Sequence, residues 1–164
     1  MEKVIKGRIW VLGDDIDTDV IYPGKYLPLL NADEMAKHAL EGLDSSFPDR
    51  LKQGDIIVAG EGFGCGSSRE QAATCLKAAG VAAVVAGSFA RIFFRNAVNQ
   101  GLPLVQANLI GQARDGDQIT IDFAAAEISH PGGRTGFPKL DPSVQVILDA
   151  GGLIPAVRRK LGFN

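Results

Sequence analysis

A glycine-rich stretch followed by two serines and an arginine carries the residues with the clearest chemical potential. Glycine occupies every second position over residues 60–66, and Ser67, Ser68 and Arg69 follow directly. Glycine lets the backbone adopt unusual angles and lets another molecule approach closely. A helix that begins here presents unpaired N–H groups and the positive end of its dipole, and Arg69 adds a full positive charge. The stretch therefore predicts a site for an anion.

Ser67 is predicted to be the N-cap of this helix. Together with Glu70 it forms a capping-box pattern, in which the serine hydroxyl and the glutamate carboxylate bond to free backbone N–H groups. Serine is a weak base because its hydroxyl ionises only far above neutral pH. Backbone N–H groups, the helix dipole and Arg69 would stabilise the alkoxide. On these residues alone, an ordinary helix cap is favoured and a serine base is the alternative.

Two familiar nucleotide-binding motifs are excluded. The glycine spacing is G-x-G-x-G-x-G and not the G-x-G-x-x-G of a dinucleotide-binding fold, and no acidic residue follows at the appropriate distance. A Walker A loop requires a lysine before its serine or threonine, and no lysine stands beside Ser67 and Ser68.

The flanking sequence predicts the elements that position the stretch. Residues 56–59 form a short apolar run typical of a buried strand, and apolar residues at helical spacing follow over 72–79. The alternation of strand and helix then repeats with a second apolar run over 81–86, a helix capped by Ser88 and a strand over 102–105. Such a βαβαβ succession predicts a parallel core.

The remaining sequence adds elements on both sides of this core. The predicted fold is α/β: one domain over residues 1–164, with a parallel β/α core and additional antiparallel strands. The added elements are a strand at 5–12, helices at 31–40 and 47–52, a half-exposed strand at 118–123, a hairpin at 127–137, and helices at 141–151 and 155–160.

The composition is that of an ordinary globular protein. The chain has 164 residues, of which 46% are hydrophobic and 22% charged, enough for one core. A net charge of −2 gives no case for binding nucleic acid or an anionic membrane. The N-terminal residues lack the apolar segment of a signal peptide and no run reaches transmembrane length, so we expect a cytoplasmic protein.

The two cysteines, Cys65 and Cys75, limit the metal chemistry of the chain. Two thiols are too few for a four-cysteine iron–sulfur cluster and their spacing fits no zinc pattern, so no metal or cofactor is predicted here. Cys75 falls on the apolar side of a predicted helix and is expected to be a buried free thiol. A catalytic role for Cys65 is the less favoured alternative, because no histidine lies nearby in sequence.

Four sequence blocks, in order along the chain, carry a family resemblance. They are GDDIDTD with IYP from Gly13, GCGSSRE from Gly64, SFARIFFRN from Ser88, and ILDAGGLI from Ile147. Together they resemble the swivelling domain of the aconitase superfamily, and specifically the small subunit of isopropylmalate isomerase and homoaconitase-type enzymes. The blocks span nearly the whole chain.

This resemblance implies roles for individual residues. The serine matching Ser67 is the base that removes a proton from the substrate carbon, and the residues matching Ser68 and Arg69 bind substrate carboxylates. A [4Fe–4S] cluster on a separate large subunit is implied as the Lewis acid, so this chain should be inactive alone. Gln71 stands where many relatives have histidine, and its amide can still form a hydrogen bond there.

The resemblance also implies that Tyr26, Leu27, Pro28 and Leu29 bind the variable arm of the substrate. Homoaconitase-like members place an arginine at the position matching Pro28. Because Pro28 and Leu29 carry no charge, an isopropyl group is favoured over a carboxylate. We expect isomerisation of 2-isopropylmalate to 3-isopropylmalate, a step of leucine biosynthesis. The alternatives are a homoaconitase or dimethylmalate-type dehydratase and, from another class, a non-catalytic anion-binding module.

Other polar residues receive weaker predictions. The aspartates between residues 14 and 19 lack the glycine and glutamate of a calcium loop and are expected to form turns and caps, with an active-site loop as the alternative implied by the resemblance. His38 and His130 are predicted to face solvent. Arg91 and Arg95, one helical turn apart, are predicted to serve an interface or structural role, with carboxylate binding as the alternative.

Overall fold

The computed structural model describes residues 1–162, through which one mixed sheet runs. Its strands are β1 (Val4–Val11), β2 (Ile56–Ala59), β3 (Ala83–Ala86), β4 (Leu104–Gln106), β5 (Gln118–Asp122), β6 (Glu127–His130) and β7 (Gly133–Gly136). The spatial order is β4-β3-β2-β1-β5-β6-β7. Strands β1 to β4 are parallel, whereas β5 pairs antiparallel with β1, β6 with β5 and β7 with β6.

The helices lie mainly in the connections between the parallel strands and after the hairpin. They are α1 (Thr18–Ile21), α2 (Ala32–Ala36), α3 (Phe47–Arg50), α4 (Glu70–Ala78), α5 (Arg91–Asn99), α6 (Pro142–Ala150) and α7 (Leu153–Lys160), with a 3₁₀ helix at Gly24–Tyr26. No helix within residues 1–162 is long and apolar enough to cross a membrane.

The central strands of the sheet are buried on both faces. All four residues of β2 and of β3 are buried, as expected for strands covered on two sides. On one face Ile57 and Val84 pack in a core with Leu76 of α4 and Phe93 of α5. The opposite face forms a second core against the antiparallel strands and the segments around them. This arrangement confirms the predicted α/β fold with a parallel core and antiparallel additions.

Outside the candidate site, two helix boundaries differ from prediction for reasons that the structure shows. The helix predicted over 31–40 ends at Ala36, because the N–H of Leu40 donates to the carbonyl of Ile21 instead of continuing the helix. The last helix begins at Leu153, two residues before Pro155. A proline is tolerated in the first turn of a helix, because the N–H that it lacks would have no partner there. The single-domain range of 1–164 stays a prediction, and its last two residues lie outside the described part.

A buried carboxylate ties the start of β2 to β1. Asp55 Oδ2 accepts hydrogen bonds from Arg8 Nη2 at 3.0 Å, Trp10 Nε1 at 2.8 Å and the Lys52 N–H at 2.9 Å. Burial alone would raise the pKa of Asp55, but the hydrogen bonds from Arg8, Trp10 and Lys52 outweigh it and lower that pKa. The folded state therefore favours the charged carboxylate.

We predict that Asp55→Asn lowers the free energy of unfolding by about 1.5–3 kcal/mol at pH 7, the range for hydrogen bonds to a charged group. Because the folded pKa is lowered, this stabilisation is present above the unfolded pKa of about 4 and is lost as the pH falls through the folded value. Urea unfolding of the parent and of Asp55→Asn at several pH values should give free energies of unfolding that converge in acid. The exposed Asp49→Asn is the control, with a change below about 0.5 kcal/mol; a gap that stays constant with pH contradicts the assignment.

Candidate functional site

Three chain segments meet at one edge of the sheet. The carboxyl ends of neighbouring parallel strands lie together, and clefts beyond these ends are common ligand sites in α/β proteins. Strand β1 leads into residues 13–19, β2 leads into the glycine loop 60–66, and β3 leads into residues 87–90. The aspartate segment (residues 13–19) and the glycine loop (residues 60–66) are thus neighbours, although they are more than forty residues apart in sequence.

The aspartate segment and the glycine loop pair through their backbones. Each segment both donates and accepts, so the loop is held along its length. The bonds run from Gly60 N to Gly13 O at 3.1 Å, Asp15 N to Glu61 O at 2.7 Å, Gly64 N to Ile16 O at 2.8 Å and Thr18 N to Cys65 O at 2.9 Å. Asp14 Oδ1 also accepts the Glu61 N–H, and Asp17 caps α1 by accepting the Val20 N–H. These contacts fit the turn and capping roles expected of the aspartates.

Two glycines of the loop are required for different reasons. Gly64 has a φ of 83°, and a Cβ at this position would overlap the Phe93 ring. Gly66 has a φ of 94°, but a Cβ there would lie 3.5 Å from Asp17 Cβ, an ordinary contact. Gly64 therefore needs both the left-handed conformation and the absence of a side chain, whereas Gly66 needs only the conformation.

The prediction that Ser67 is the N-cap is wrong. Helix α4 begins at Glu70 with Arg69 as its N-cap, and no side chain caps it. Ser67 stays in the loop because its carbonyl accepts a hydrogen bond from Thr18 Oγ1 at 2.9 Å. The Glu70 carboxylate accepts from Gln100 Nε2 instead of closing a capping box. The backbone of Ser67 is thus held by the aspartate segment, and the residue itself is exposed.

The structure brings Ser67, Ser68 and Arg69 together around one cavity of about 240 Å³. Arg91 and Asn96 of α5 also line it. Arg95 is exposed on the same helix but is not among the residues lining this cavity. Ser88 does not cap α5, whose N-cap is Ala90; its hydroxyl instead accepts the N–H of Gly62 at 2.9 Å.

Arg69 is fixed in place by two acceptors. Its Nη1 donates to Asp19 Oδ1 at 2.7 Å and to the Tyr22 carbonyl at 3.1 Å. The hydrogen bond from Arg69 is the main cause of a lowered pKa of Asp19, with a further contribution from the Gly24 N–H. The other N–H groups of Arg69 make no hydrogen bond within residues 1–162, so they are open to an anionic ligand such as a carboxylate.

The four residues predicted to bind the variable arm of a substrate do not line this cavity in the described chain. Pro28 and Leu27 are exposed, Leu29 is half-buried, and the Tyr26 hydroxyl donates to Glu41. Their segment is linked to the site through Asp19, whose Oδ1 accepts the Gly24 N–H at 2.9 Å. That these residues contact a substrate stays a prediction.

The cysteines do not fit a cluster-binding role. Cys75 is fully buried, donates to the Ala72 carbonyl at 3.3 Å, and has its pKa raised by burial. Cys65 is half-buried, and burial together with the charges of Asp15 and Asp17 raises the pKa of its thiol, which disfavours the thiolate. Within residues 1–162 no three His, Cys, Asp or Glu side chains are arranged to hold a metal ion.

Several contacts were not foreseen from the sequence. Thr18 holds Ser67, and Asp19 holds Arg69. The only sequence signal for these contacts was that the aspartates follow β1, the strand next to β2. His38 and His130 are half-buried instead of solvent-facing. His130 Nε2 lies 2.8 Å from Thr135 Oγ1, and His38 stacks on Tyr26.

Known proteins share this sequence and architecture. The Aconitase C-terminal domain family matches residues 15–109, which include most of the aspartate segment, the glycine loop and α5. The 3-isopropylmalate dehydratase small subunit 1 of Methanopyrus kandleri is 48% identical over 163 residues, covering 98% of this chain and 96% of the relative. The chain belongs to the small-subunit family of isopropylmalate dehydratase. This family is a hydro-lyase family of the aconitase type.

Further relatives of this dehydratase family carry different substrate names. The methanogen homoaconitase small subunit of Methanothermobacter thermautotrophicus is 47% identical, covering 94% of this chain and 91% of its own length. The isopropylmalate/citramalate isomerase small subunit of Methanocaldococcus jannaschii is 44% identical over 98% of each chain. A crystal structure of 3-isopropylmalate dehydratase (leuD) from the latter organism has a TM-score of 0.93 at 45% identity, covering 96% of this chain and 95% of that one.

We predict that Gly64→Ala costs about 2–5 kcal/mol of unfolding free energy, the sum of a left-handed alanine and overpacking against Phe93. Gly66→Ala is the matched control and should cost only the conformational part, about 1–2 kcal/mol. Urea unfolding monitored by circular dichroism measures both. Equal costs at the two positions would show that Phe93 does not constrain the loop.

Proposed function

We propose that this chain is the small subunit of a two-subunit hydro-lyase that converts 2-isopropylmalate to 3-isopropylmalate by dehydration and rehydration, in the cytoplasmic pathway of leucine biosynthesis. The observation that carries the proposal is the shared cavity of Ser67, Ser68 and Arg69 at the carboxyl edge of the sheet. The names of the relatives support the reaction class.

In this proposal Ser67 removes the proton from the substrate carbon. Its backbone is held by Thr18, and its exposed position lets a substrate approach. A serine base requires stabilisation of the negative charge on its oxygen, and Arg69, two positions further along the chain and on the same cavity, contributes to it. Because α4 starts at Glu70, its free N–H groups lie a few residues beyond Ser67. They therefore stabilise the serine alkoxide less directly than they would if Ser67 capped the helix.

Ser68 and Arg69 bind the substrate carboxylates. Arg69 is held by Asp19 and Tyr22 through Nη1, so its remaining N–H groups are oriented before a ligand arrives. A guanidinium that is already fixed loses little conformational entropy on binding, which favours affinity. The hydroxyl of Ser68 adds a neutral donor at the same cavity.

The second half of the active site belongs to a partner in this proposal. We expect a [4Fe–4S] cluster on a separate large subunit, where it would supply the Lewis-acid chemistry for the departing hydroxyl. The small chain therefore contributes the base and the carboxylate-binding groups. We expect neither nucleic acid nor a membrane among its partners.

The substrate arm is assigned from residues 26–29 and not from overall similarity. Relatives named for isopropylmalate and for homoaconitase are nearly equally similar to this chain. Pro28 and Leu29 carry no charge, so a carboxylate placed against them would lose hydration without a partner, whereas an isopropyl group would gain from burial. A homoaconitase or dimethylmalate-type activity remains the second candidate, supported by the homoaconitase name of one relative.

Anaerobic reconstitution with a cluster-bearing large chain tests the proposal. Each chain is assayed alone and mixed with 2-isopropylmalate, citramalate, dimethylmalate, homocitrate and citrate. We expect turnover only in the mixture, with the highest kcat/KM for isopropylmalate. Turnover by the small chain alone, or a higher kcat/KM for homocitrate, would contradict the proposal.

We predict that Ser67→Ala reduces kcat of the reconstituted enzyme by about 100- to 10,000-fold, the usual contribution of a general base. Its stability should change by less than about 0.5 kcal/mol, because the Ser67 hydroxyl makes no hydrogen bond within the described chain. Thermal unfolding and large-subunit binding are measured beside the kinetics, with the exposed Ser45→Ala as control. Activity within tenfold of the parent would assign proton removal to another residue.

We predict that Pro28→Arg shifts the ratio of kcat/KM for homocitrate to that for isopropylmalate upward by about ten- to hundredfold. This corresponds to a charge-assisted hydrogen bond of about 1.5–3 kcal/mol. Pro28→Gln is the matched control, since it also removes the proline and lengthens the side chain but adds no charge. If both variants give the parent ratio, Pro28 does not face the substrate arm.

A further inference from the structure

A cluster outside the cavity holds the segment that carries residues 26–29. The rings of Tyr26 and His38 are stacked, with centroids 3.5 Å apart and planes at 14°. The Tyr26 hydroxyl donates to Glu41 Oε1, and His38 Nδ1 lies 2.6 Å from Glu41 Oε2. Both carboxylate oxygens of Glu41 are thus engaged, one by each ring.

The cluster is partly buried, which makes its contacts specific. The side chains of His38 and Glu41 retain only 24% and 18% of their exposure. Burial alone would raise the pKa of Glu41, but hydrogen bonds from Tyr26 and His38 outweigh it and lower that pKa. The hydrogen bond to Glu41 raises the pKa of Tyr26, so the hydroxyl stays protonated and the carboxylate charged. The Lys25 ammonium lies 5.2 Å from the Tyr26 ring centroid.

Tyr26 transmits this anchoring to the residues that follow it. Its carbonyl accepts hydrogen bonds from the Tyr22 hydroxyl at 2.6 Å and from the Leu29 N–H at 3.0 Å. The Leu27 N–H closes the preceding turn by donating to the Gly24 carbonyl at 3.1 Å. The main chain around Pro28 is therefore positioned by Tyr26, although Pro28 itself is exposed.

The opposite end of the same segment is tied to the cavity. Asp19 Oδ1 accepts both the Gly24 N–H and the Arg69 guanidinium. Residues 24–26 thus run between two anchors, one at Arg69 and one at Glu41, and residues 27–29 follow directly after the second anchor. Loss of the Glu41 anchor would free Leu27, Pro28 and Leu29 to change their position relative to the arginine.

We propose that Glu41 and His38 are positioning residues for substrate selection, which hold residues 27–29 in place through the ring and hydroxyl of Tyr26. This inference rests on the proposed function, because it assumes that these residues meet the substrate arm. Neither Glu41 nor His38 lines the cavity, so neither touches the reacting atoms.

The experiment combines hydrogen exchange with substrate selectivity. In Glu41→Ala the Leu27 and Leu29 amides of the full small chain should exchange at least about fivefold faster, because local opening becomes easier. In the reconstituted enzyme, the kcat/KM ratio of isopropylmalate to citramalate should fall about fivefold, mainly through a higher KM for isopropylmalate, as expected for lost uniform binding.

Three further variants separate positioning from a general structural effect. Glu41→Gln keeps an oxygen that accepts the Tyr26 hydroxyl proton and should retain the parent ratio within about twofold. Tyr26→Phe keeps the ring but removes the hydroxyl, and it should give the same changes in exchange and in substrate ratio as those expected for Glu41→Ala. It takes the place of Glu41→Ala if that variant fails to fold. Glu34→Gln, on α2 and in an exposed pair with Lys37, should change neither readout.

Unchanged exchange at Leu27 and Leu29 in both Glu41→Ala and Tyr26→Phe would overturn the inference, whatever substrate the enzyme accepts. Faster exchange with unchanged KM values and an unchanged ratio would overturn it as well. If the parent complex instead prefers a substrate other than isopropylmalate, the proposed function fails, and the ratio is measured between the two substrates that it does turn over.

Discussion

Backbone pairing between residues 13–18 and the glycine loop is the constraint on which the site depends. Strands β1 and β2 end side by side, and their following segments continue to exchange hydrogen bonds beyond the sheet. This pairing is possible only because the glycine loop leaves room for residues 13–18 and, at Gly64, for the Phe93 ring. It delivers Ser67 to the cavity with its carbonyl held by Thr18. The position of Ser67 is therefore set by a segment far away in sequence.

In our proposal, carboxylate binding and substrate choice depend on one shared residue. Asp19 contacts Arg69 and also the backbone of Gly24, so the guanidinium and the segment leading to Pro28 cannot move independently. The cavity of about 240 Å³ is open, and the Arg69 guanidinium that lines it is already held by Asp19. In our proposal these groups enclose one side of the substrate, and the large subunit closes the other side.

The sequence predicted the parallel core because its buried strands are unbroken apolar runs, and it predicted α6 because Asp141 and Gly151 are strong local boundary signals. It predicted the wrong N-cap for α4, because the hydrogen bond from Thr18 to Ser67 joins residues 49 positions apart and overrides the local capping pattern. The pairing of Asp19 with Arg69 was missed for the same reason. Ser67, Ser68 and Arg69 were identified as a group from their spacing and the family resemblance, and the fold places them on one cavity.

The most direct test of the account is a structure of the reconstituted two-chain enzyme with isopropylmalate bound. The account predicts Ser67 Oγ within about 3.5 Å of the carbon that loses its proton, the reach of a reactive geometry. It also predicts that Arg69 contacts a substrate carboxylate while keeping its bond to Asp19. A substrate bound with Ser67 directed away from that carbon, or with Arg69 contacting no carboxylate, would contradict it.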